Sequence, residues 1–541
     1  HGQIRRQRQM CIRDRILVIG QNPGTNHPRM LTALAACKEN GGSVVSINPL
    51  EETAMKRFKH PQNPLHLIGR GVQIADEHLP VRIGGDAALL QGFAKTILSQ
   101  GGADLDFISA NTLGFEDWKK HIESTDWEKI VEQSGISRDR IEKTGNAIAK
   151  SERMIVCWAM GLTQHENSVA VIQEVSNLLL AGGHFGKPGA GACPVRGHSN
   201  VQVDRTVGVN HHPTEDFISS CESETGINMP RKKGYDVVEF IHAALQGRVR
   251  TFMALGGNLV SAMSDTERVA EAISNIDLTV QISTKLNRSH LITGKEALIL
   301  PCLGRTEIDP AGFVSVENSM GLVHSSEGSL KPASKNLLSE PEIISRIGKE
   351  LYPEGPMDWN LYRDHGNTRD LISRCIPGFE DYNTRVRAKG GFYLPNGPRD
   401  GPNWNTSSGK AHFFCHNLPE RSLEDGRFIL MTVRSHDQYN TTIYGMDDRY
   451  RGIYNARRVV MMNKEDMEDM GASAGQEVDL TSHWEGRKIH SERWKVVPYE
   501  IPRGNLCSYF PEANVLVPLE STAEGSNTPT SKWIEVSVSI R

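Results

Sequence analysis

Apolar residues are set along this chain in short runs, each closed by glycine, asparagine or proline. Residues 16–19 form an unbroken apolar run that ends in Gly20-Gln21-Asn22-Pro23-Gly24-Thr25-Asn26, with helical spacing from about Pro28 to Asn40. A second run, 43–47, ends in Asn48-Pro49, and residues 78–82 lead into Gly84-Gly85-Asp86 and another helix. The pattern returns far down the chain. Residues 251–255 end in Gly256-Gly257-Asn258, and a helix is predicted from about Asp265 to Asn275. The strand 278–282 carries Gln281 and is followed by Ser283-Thr284-Lys285, and a third run, 297–300, stops at Pro301. Each copy reads strand, Gly-x-Asn, helix, strand, the layout of a parallel sheet that binds its ligand beyond the strand ends.

The repeated turn has a physical use. Glycine lets the backbone approach a phosphate closely, and the following helix N-terminus offers N–H groups to an anion. The polar residues ending the second strands, Asn48 and Gln281, fall where ribose hydroxyls are held. One Gly-x-Asn is ordinarily only a turn; two copies with matched second strands point to two nucleotides. Neither is a full GxGxxG, and no acidic residue ends either second strand, which disfavours an NAD-dependent dehydrogenase.

Between the copies, residues 153–212 hold a strand at 154–158, a helix from 168 to about 181, and seven glycines from Gly161 to Gly197. So many glycines, interrupted by helix and proline, suggest backbone packed against a large flat ligand. Beyond about Glu380 the pattern changes, and Gly, Pro and Asn cluster at 389–410. Short alternating strands follow at 427–433, 459–462, 477–481, 488–497, 505–508 and 532–540, the signature of a β-barrel. Domains are therefore expected at 16–200, 201–350 and 426–541, with 351–425 as linker. Residues 1–15 are basic and aperiodic and run straight into the first strand. They are expected to be a non-native segment outside the fold.

Composition narrows the class. The 541 residues are enough for three or four domains, and 38% hydrophobic with 23% charged residues is ordinary for a globular protein. A net charge of −4 gives no footing for nucleic acid. No run approaches the ~20 apolar residues of a transmembrane span. Nine cysteines without a Cys-x-x-Cys pair argue against a disulfide framework and against a thiolate-ligated zinc or iron–sulfur site in these residues. A reducing, cytoplasmic setting is expected.

Four blocks carry a family resemblance: Gly20-x-Asn22-Pro23 with His27-Pro28; Trp158-x-Met160-Gly161-x-Thr163-Gln164; Gly186-Lys187-Pro188-Gly189-x-Gly191; and Pro194-Val195-Arg196-Gly197-x-x-Asn200-Val201-Gln202. Together they resemble the molybdopterin oxidoreductase superfamily, nearest to formate dehydrogenase alpha subunits and the FdhF/YdeP-type branch. The resemblance implies an α/β fold of the formate dehydrogenase/DMSO reductase kind, with two Rossmann-like parallel-sheet lobes and a double-psi, aspartate-decarboxylase-like barrel. It implies two molybdopterin guanine dinucleotides holding one molybdenum or tungsten.

On that resemblance, Gly20, Asn22, Thr25 and Asn26 would meet one pyrophosphate. Asn48 would lie near its ribose and guanine, with Gly84 and Asp86 closing the pocket. Met160, Gly161 and Gln164 would line a pterin. Gly257, Asn258, Gln281 and Thr284 would serve the second nucleotide, and Arg434, His436, Gln438, Asn514 and Lys532 would cap the pterins from the barrel. Arg196 matches the active-site arginine, flanked by Gly197 and Asn200. Its planar fork can hold a carboxylate in two hydrogen bonds. His198 is the weaker catalytic candidate, and Cys193 is expected in the core.

In relatives, a preceding lobe supplies the metal's cysteine or selenocysteine ligand and commonly a [4Fe–4S] cluster. Neither is found after Arg15, so this chain alone is expected to turn over little. The expected reaction is two-electron oxidation of formate or a related oxyanion, with an electron-transfer subunit as partner. A fold-sharing structural or electron-relay subunit and a nitrate reductase-like enzyme remain the alternatives.

Overall fold

The computed structural model describes residues 13–64, 68–197, 201–420 and 423–541. They form two compact units, one of residues 13–195, 262–266 and 397–541, the other of residues 196–261 and 267–396.

The first unit opens on a parallel sheet of β1 (Arg15–Ile19), β2 (Ser43–Ile47), β3 (Glu77–Leu79), β4 (Met154–Trp158) and β5 (Gly191–Pro194), in the order β3-β2-β1-β4-β5. Leu17 and Ile19 enter one core with Val156 and Trp158, while Ile16 and Val18 enter another with Ile155 and Cys157. Burial on both faces is why β1 reads as an unbroken apolar run. Helix α1 (Pro23–Asn26) and helix α2 (Pro28–Glu39) each start on proline, whose missing N–H costs nothing at that position. Leu31, Leu34 and Ala35 of α2 cover one face of the sheet. The other is covered by α3 (Asp86–Ser99) and α4 (Ser168–Ala181), through Leu90, Phe93, Val175 and Leu179.

The expected exclusion of residues 1–15 does not hold at its C-terminal end. Arg13 is buried and donates from Nε to the Gly189 carbonyl at 2.9 Å, while Asp14 accepts from Ser151 Oγ at 2.5 Å and Glu152 N at 2.6 Å. Arg15 is the first residue of β1. A basic, aperiodic stretch hid these because their partners lie more than a hundred residues away. Residues 1–12 lie outside the described residues.

The second unit contains helix α5 (Val201–Thr206) and a parallel sheet of β6 (Thr251–Leu255), β7 (Leu278–Ser283) and β8 (Glu296–Pro301), in that order, with α6 (Thr266–Ser274) between β6 and β7. An antiparallel sheet follows, of β9 (Val314–Glu317), β10 (Leu322–Ser326) and β11 (Phe392–Tyr393). Much of the expected linker, 351–425, is ordered into this unit. Helices His365–Cys375 and Tyr382–Arg387 lie there, and Phe379, Tyr382, Val386 and Phe392 make a core with Val323. Its glycines and prolines mark turns between short helices.

The barrel returns to the first unit. β12 (Arg427–Val433), β13 (Val459–Met462), β14 (Glu477–Trp484), β15 (Arg487–Pro498), β16 (Asn505–Tyr509) and β17 (Ile534–Ile540) close in the order β12-β16-β13-β15-β14-β17. The pairs β12/β16 and β13/β15 are parallel, and the rest are antiparallel. Along β12, Phe428 and Leu430 fill the interior with Val460, Val478, Trp494 and Val536. Ile429 and Met431 point outward and pack with Leu50 and Ile83 of the first sheet's loops. Alternation thus assigns one face of a single strand to the barrel core and the other to the lobe.

Candidate functional site

The strand order of the first sheet reverses between β1 and β4, and ligands of such sheets bind at that switch point. Gly20 and Gly161, from the loops after these two strands, cross there backbone to backbone. Gly20 has φ +57° and donates to Ile47 O at 2.9 Å; Gly161 N donates to Gly20 O at 3.1 Å. A Cβ on Gly161 would stand 2.4 Å from Gly20 Cα, and one on Gly20 would stand 2.7 Å from Gly161 Cα. Only glycines allow this approach. Gly161→Ala is therefore expected to destabilise the first unit by about 2–3 kcal/mol, read as a lower urea midpoint at unchanged slope.

Around this crossing the expected residues behave differently from one another. Asn22 caps α1, accepting from Thr25 N at 3.2 Å and donating to Thr25 Oγ1 at 3.1 Å, so both side chains hold the turn. Asn26 Oδ1 is buried and has no hydrogen-bond partner among the described residues. Asn48 is buried at the end of β2, with its N–H on Leu79 O at 3.2 Å. Gly84, at φ +73°, turns the chain into α3, whose first residue is the buried Asp86. Met160 starts a short helix, and Gln164 O accepts from Lys532 N at 3.1 Å.

That last bond brings the barrel rim to the switch-point loops within the same unit. Lys532 Nζ donates to Thr432 O and, at 3.2 Å, to Thr432 Oγ1. Burial, and then the charges of Arg434 and Arg451, push the Lys532 pKa down to about 8. The Arg434 guanidinium lies 5.7 Å from the Phe510 ring centroid. Burial lowers its pKa too, and among the described residues no carboxylate pairs with it. Two largely buried cations, neither paired with a carboxylate among the described residues, in the unit that holds the glycine-walled loop crossing, suit an anionic dinucleotide. The donor set fits a pterin guanine dinucleotide.

The remaining rim residues mostly position others. Gln438 is spent on the loop itself: Nε2 donates to Phe510 O and Asn440 O, each at 2.7 Å, and Oε1 accepts from Ser435 N at 2.9 Å. His436 sits between Arg449 Nη2 at 2.6 Å and Asp437 Oδ2 at 3.1 Å, its pKa lowered mainly by burial. Asn514 is buried, and its carbonyl accepts from Asp265 N at 3.0 Å.

Two arginines that sequence reasoning missed clamp this loop. Arg451 donates to Arg434 O at 2.8 Å, to Asp448 Oδ2 at 2.9 Å and to Glu52 Oε1 at 2.6 Å. Arg457 donates to Ser435 Oγ at 2.6 Å, Phe510 O at 2.8 Å and Glu512 Oε1 at 2.7 Å. The only sequence signal of Arg451 was a dense run of charge at Asp447–Arg451, which ordinarily marks a solvated loop, and Arg457 lies outside that run.

In the second unit, Gly256 and Gly257 follow β6 at φ +69° and +83°, and a Cβ on Gly257 would meet nothing within 4 Å. Asn258 is buried and accepts from the Ser289 hydroxyl; Gln281 Nε2 donates to Ser289 O at 3.4 Å, and Asn287 Nδ2 to Gly257 O at 2.9 Å. Asn258 and Gln281 therefore meet at Ser289, while Thr284 stands exposed on the loop after β7. Ser289 and Asn287 were not foreseen. The Asn287–His290 capping spacing was their only trace.

Arg196 lies just beyond β5 and is exposed, with Nε donating to Gln202 Oε1 at 3.1 Å and its backbone N to Ser319 Oγ at 3.4 Å. Gly197 beside it is exposed. His198 and Asn200 lie outside the described residues. Cys193 pairs in register with Cys157, whose thiol pKa is raised by the Cys193 thiol and by burial, so the pair is inert core. Among the described residues, no three or more His, Cys, Asp or Glu side chains are grouped to hold a metal, and no helix is long and apolar enough to cross a membrane.

Comparison with known proteins gives consistent matches. The Molybdopterin oxidoreductase family profile matches residues 13–292, and the Molydopterin dinucleotide binding domain profile matches residues 428–534. The chain is 46% identical over 540 residues to an uncharacterised oxidoreductase of Mycobacterium tuberculosis (strain H37Rv), covering 97% of this chain and 69% of that protein. It is 40% identical over 545 residues to protein YdeP of Escherichia coli (strain K12), covering 97% and 72%. Formate dehydrogenase H of the same strain is 26% identical over 277 residues, covering 49% and 36%. Among solved structures, acetylene hydratase from Pelobacter acetylenicus shares the fold with a TM-score of 0.68 at 16% identity, over 100% of this chain and 81% of that one.

Proposed function

Since the chain belongs to the molybdopterin oxidoreductase family, we propose that it forms the dinucleotide-holding part of a catalytic subunit that oxidises formate, or a related small oxyanion, by two electrons. The observation that carries the reading is the duplicated crevice: glycine then asparagine after β1 and again after β6. When bound, the paired pterin dinucleotides and their molybdenum or tungsten supply a two-electron acceptor. Gly20, Asn26 and Asn48, with Lys532 and Arg434 from the barrel, would hold one dinucleotide; Gly257, Asn258 and Gln281 would hold the other. Lys532 and Arg434 neutralise phosphate or dithiolene charge from a water-poor rim, where each charge counts more than in bulk water.

Arg196 would bind the substrate. Its guanidinium keeps its charge and offers donors in the spacing of a carboxylate's two oxygens, holding formate in one orientation as charge leaves it. Arg196→Lys keeps the charge and loses the fork. It is expected to lower kcat/KM for formate on the order of 100-fold, ~2.7 kcal/mol, with bound guanine nucleotide unchanged. Steady-state assays with a dye acceptor on the holoenzyme check this, and undiminished formate oxidation contradicts it.

A further inference from the structure

The surroundings of Arg196 in its own unit contain a buried carboxylate that the reaction, as described, does not use. Glu317 ends β9 and is 2% exposed. Its Oε2 accepts from Thr206 Oγ1 at 2.9 Å. Thr206 lies one helical turn beyond Gln202 on α5, and its single hydroxyl proton is shared with Gln202 O at 3.1 Å. One face of α5 therefore grips two groups: Gln202 takes the Arg196 guanidinium, and Thr206 takes the Glu317 carboxylate. Ser319, just past the strand that carries Glu317, receives the Arg196 backbone N–H. The Arg196 segment is thus tied to α5 and to the end of β9, and the same two elements hold Glu317, on which the Arg196 charge acts.

We propose that Glu317 is a positioning residue and the resting counter-charge of Arg196, so that an anion binding at Arg196 must compete with the Glu317 carboxylate. This rests on the reading of Arg196 as the substrate-binding arginine. Glu317 would make the site selective: a weakly held or neutral ligand would not displace the internal charge, whereas a small oxyanion able to take both donors of the fork would.

Ionisation of Glu317 then controls affinity. Burial raises its pKa, against the lowering effects of the Thr206 hydroxyl and the Arg196 charge. Glu317 in turn acts on Tyr382, from helix Tyr382–Arg387, whose pKa is raised first by burial and also by the Glu317 charge. Asp204 and Arg205 lie on α5 beside Thr206. Because the pKa is displaced upward, the carboxylate neutralises at a higher pH than an ordinary glutamate as acid is added. Competition fades there and anion affinity rises.

The test is calorimetric titration of the full chain with formate, and with nitrate as second probe, at neutral and mildly acidic pH. Wild-type protein is expected to bind formate more tightly as pH falls. Glu317→Gln is expected to bind roughly three- to tenfold tighter near neutrality and to lose that pH slope. Arg196→Ala is expected to lose binding in either background. Wild-type affinity and slope in Glu317→Gln, with Arg196→Ala still unable to bind, would overturn the counter-charge and leave the arginine's role intact. Unchanged binding in Arg196→Ala would overturn both. Should Glu317→Gln fail to fold by its melting transition, Thr206→Val decides. It keeps the carboxylate but removes a hydrogen bond that favours ionisation, so the rise in affinity is expected at higher pH. An unmoved curve overturns the proposal.

Discussion

Arg451→Met is expected to cost the first unit about 3–5 kcal/mol, the largest loss of any single substitution considered. Arg451 is buried, and so are both of its carboxylate partners: side-chain exposures are 2% for Arg451, 6% for Glu52 and 1% for Asp448. Removing the guanidinium leaves two carboxylates without their cation in a site that water does not reach. Tyr509 Oη, 2.8 Å from Asp448, satisfies only part of that demand. Arg451 also fixes the Arg434 carbonyl, so the loop carrying Arg434 is expected to loosen at the same time. Urea unfolding gives the loss directly. A double-mutant cycle with Glu52→Gln should return part of it, because that change removes one of the stranded charges. A loss below about 1 kcal/mol would mean the triad is solvated in solution.

Lys532→Met should act in the opposite direction on stability. The Lys532 side chain is partly buried, and burial with the nearby arginines lowers its pKa from 10.5 to about 8 in the folded chain. A depressed lysine pKa means the unfolded chain holds the proton more tightly. Stability without ligand therefore rises as pH climbs from about 8 towards 10.5, and below about 8 the buried charge costs on the order of 3 kcal/mol. Methionine matches the aliphatic stem and removes that cost, so the variant is expected to melt higher near neutrality and to show a flatter stability profile on the alkaline side. It should also retain less bound guanine nucleotide. Stability raised and binding lowered by one substitution is the mark of a residue kept for its ligand. A melting temperature that falls at neutral pH would contradict this.

The sequence was most informative where chemistry and fold coincide. The unbroken run 16–19 announced a strand buried on both faces, and the Gly-x-Asn turns marked the loops that follow β1 and β6. The six barrel strands were visible from alternation, with ends displaced by a few residues. Three things were hidden. Arg13 and Asp14 looked like part of a basic leader because their partners, Gly189 and Ser151, are distant in sequence. Residues 351–396 looked like linker because short helices punctuated by Gly and Pro have too few turns to show a period. Arg451 and Arg457 could not be told from surface charge, since nothing local distinguishes an arginine that will meet Glu52 or Glu512 across the fold. Among the site residues, type and position were legible but use was not. Asn22 and Gln438 spend their side chains on their own loops, whereas Lys532 and Arg434 are paired with no carboxylate among the described residues.

The central claim is that the two strand-end crevices each hold a guanine dinucleotide. It is tested most directly by the guanine nucleotide released when the metal-loaded holoprotein, isolated from its native cells, is denatured. Two guanine nucleotides are expected for each molybdenum or tungsten, falling when Asn258→Ala opens the second crevice. Metal recovered without guanine nucleotide, or a nucleotide content indifferent to Asn258, would contradict it.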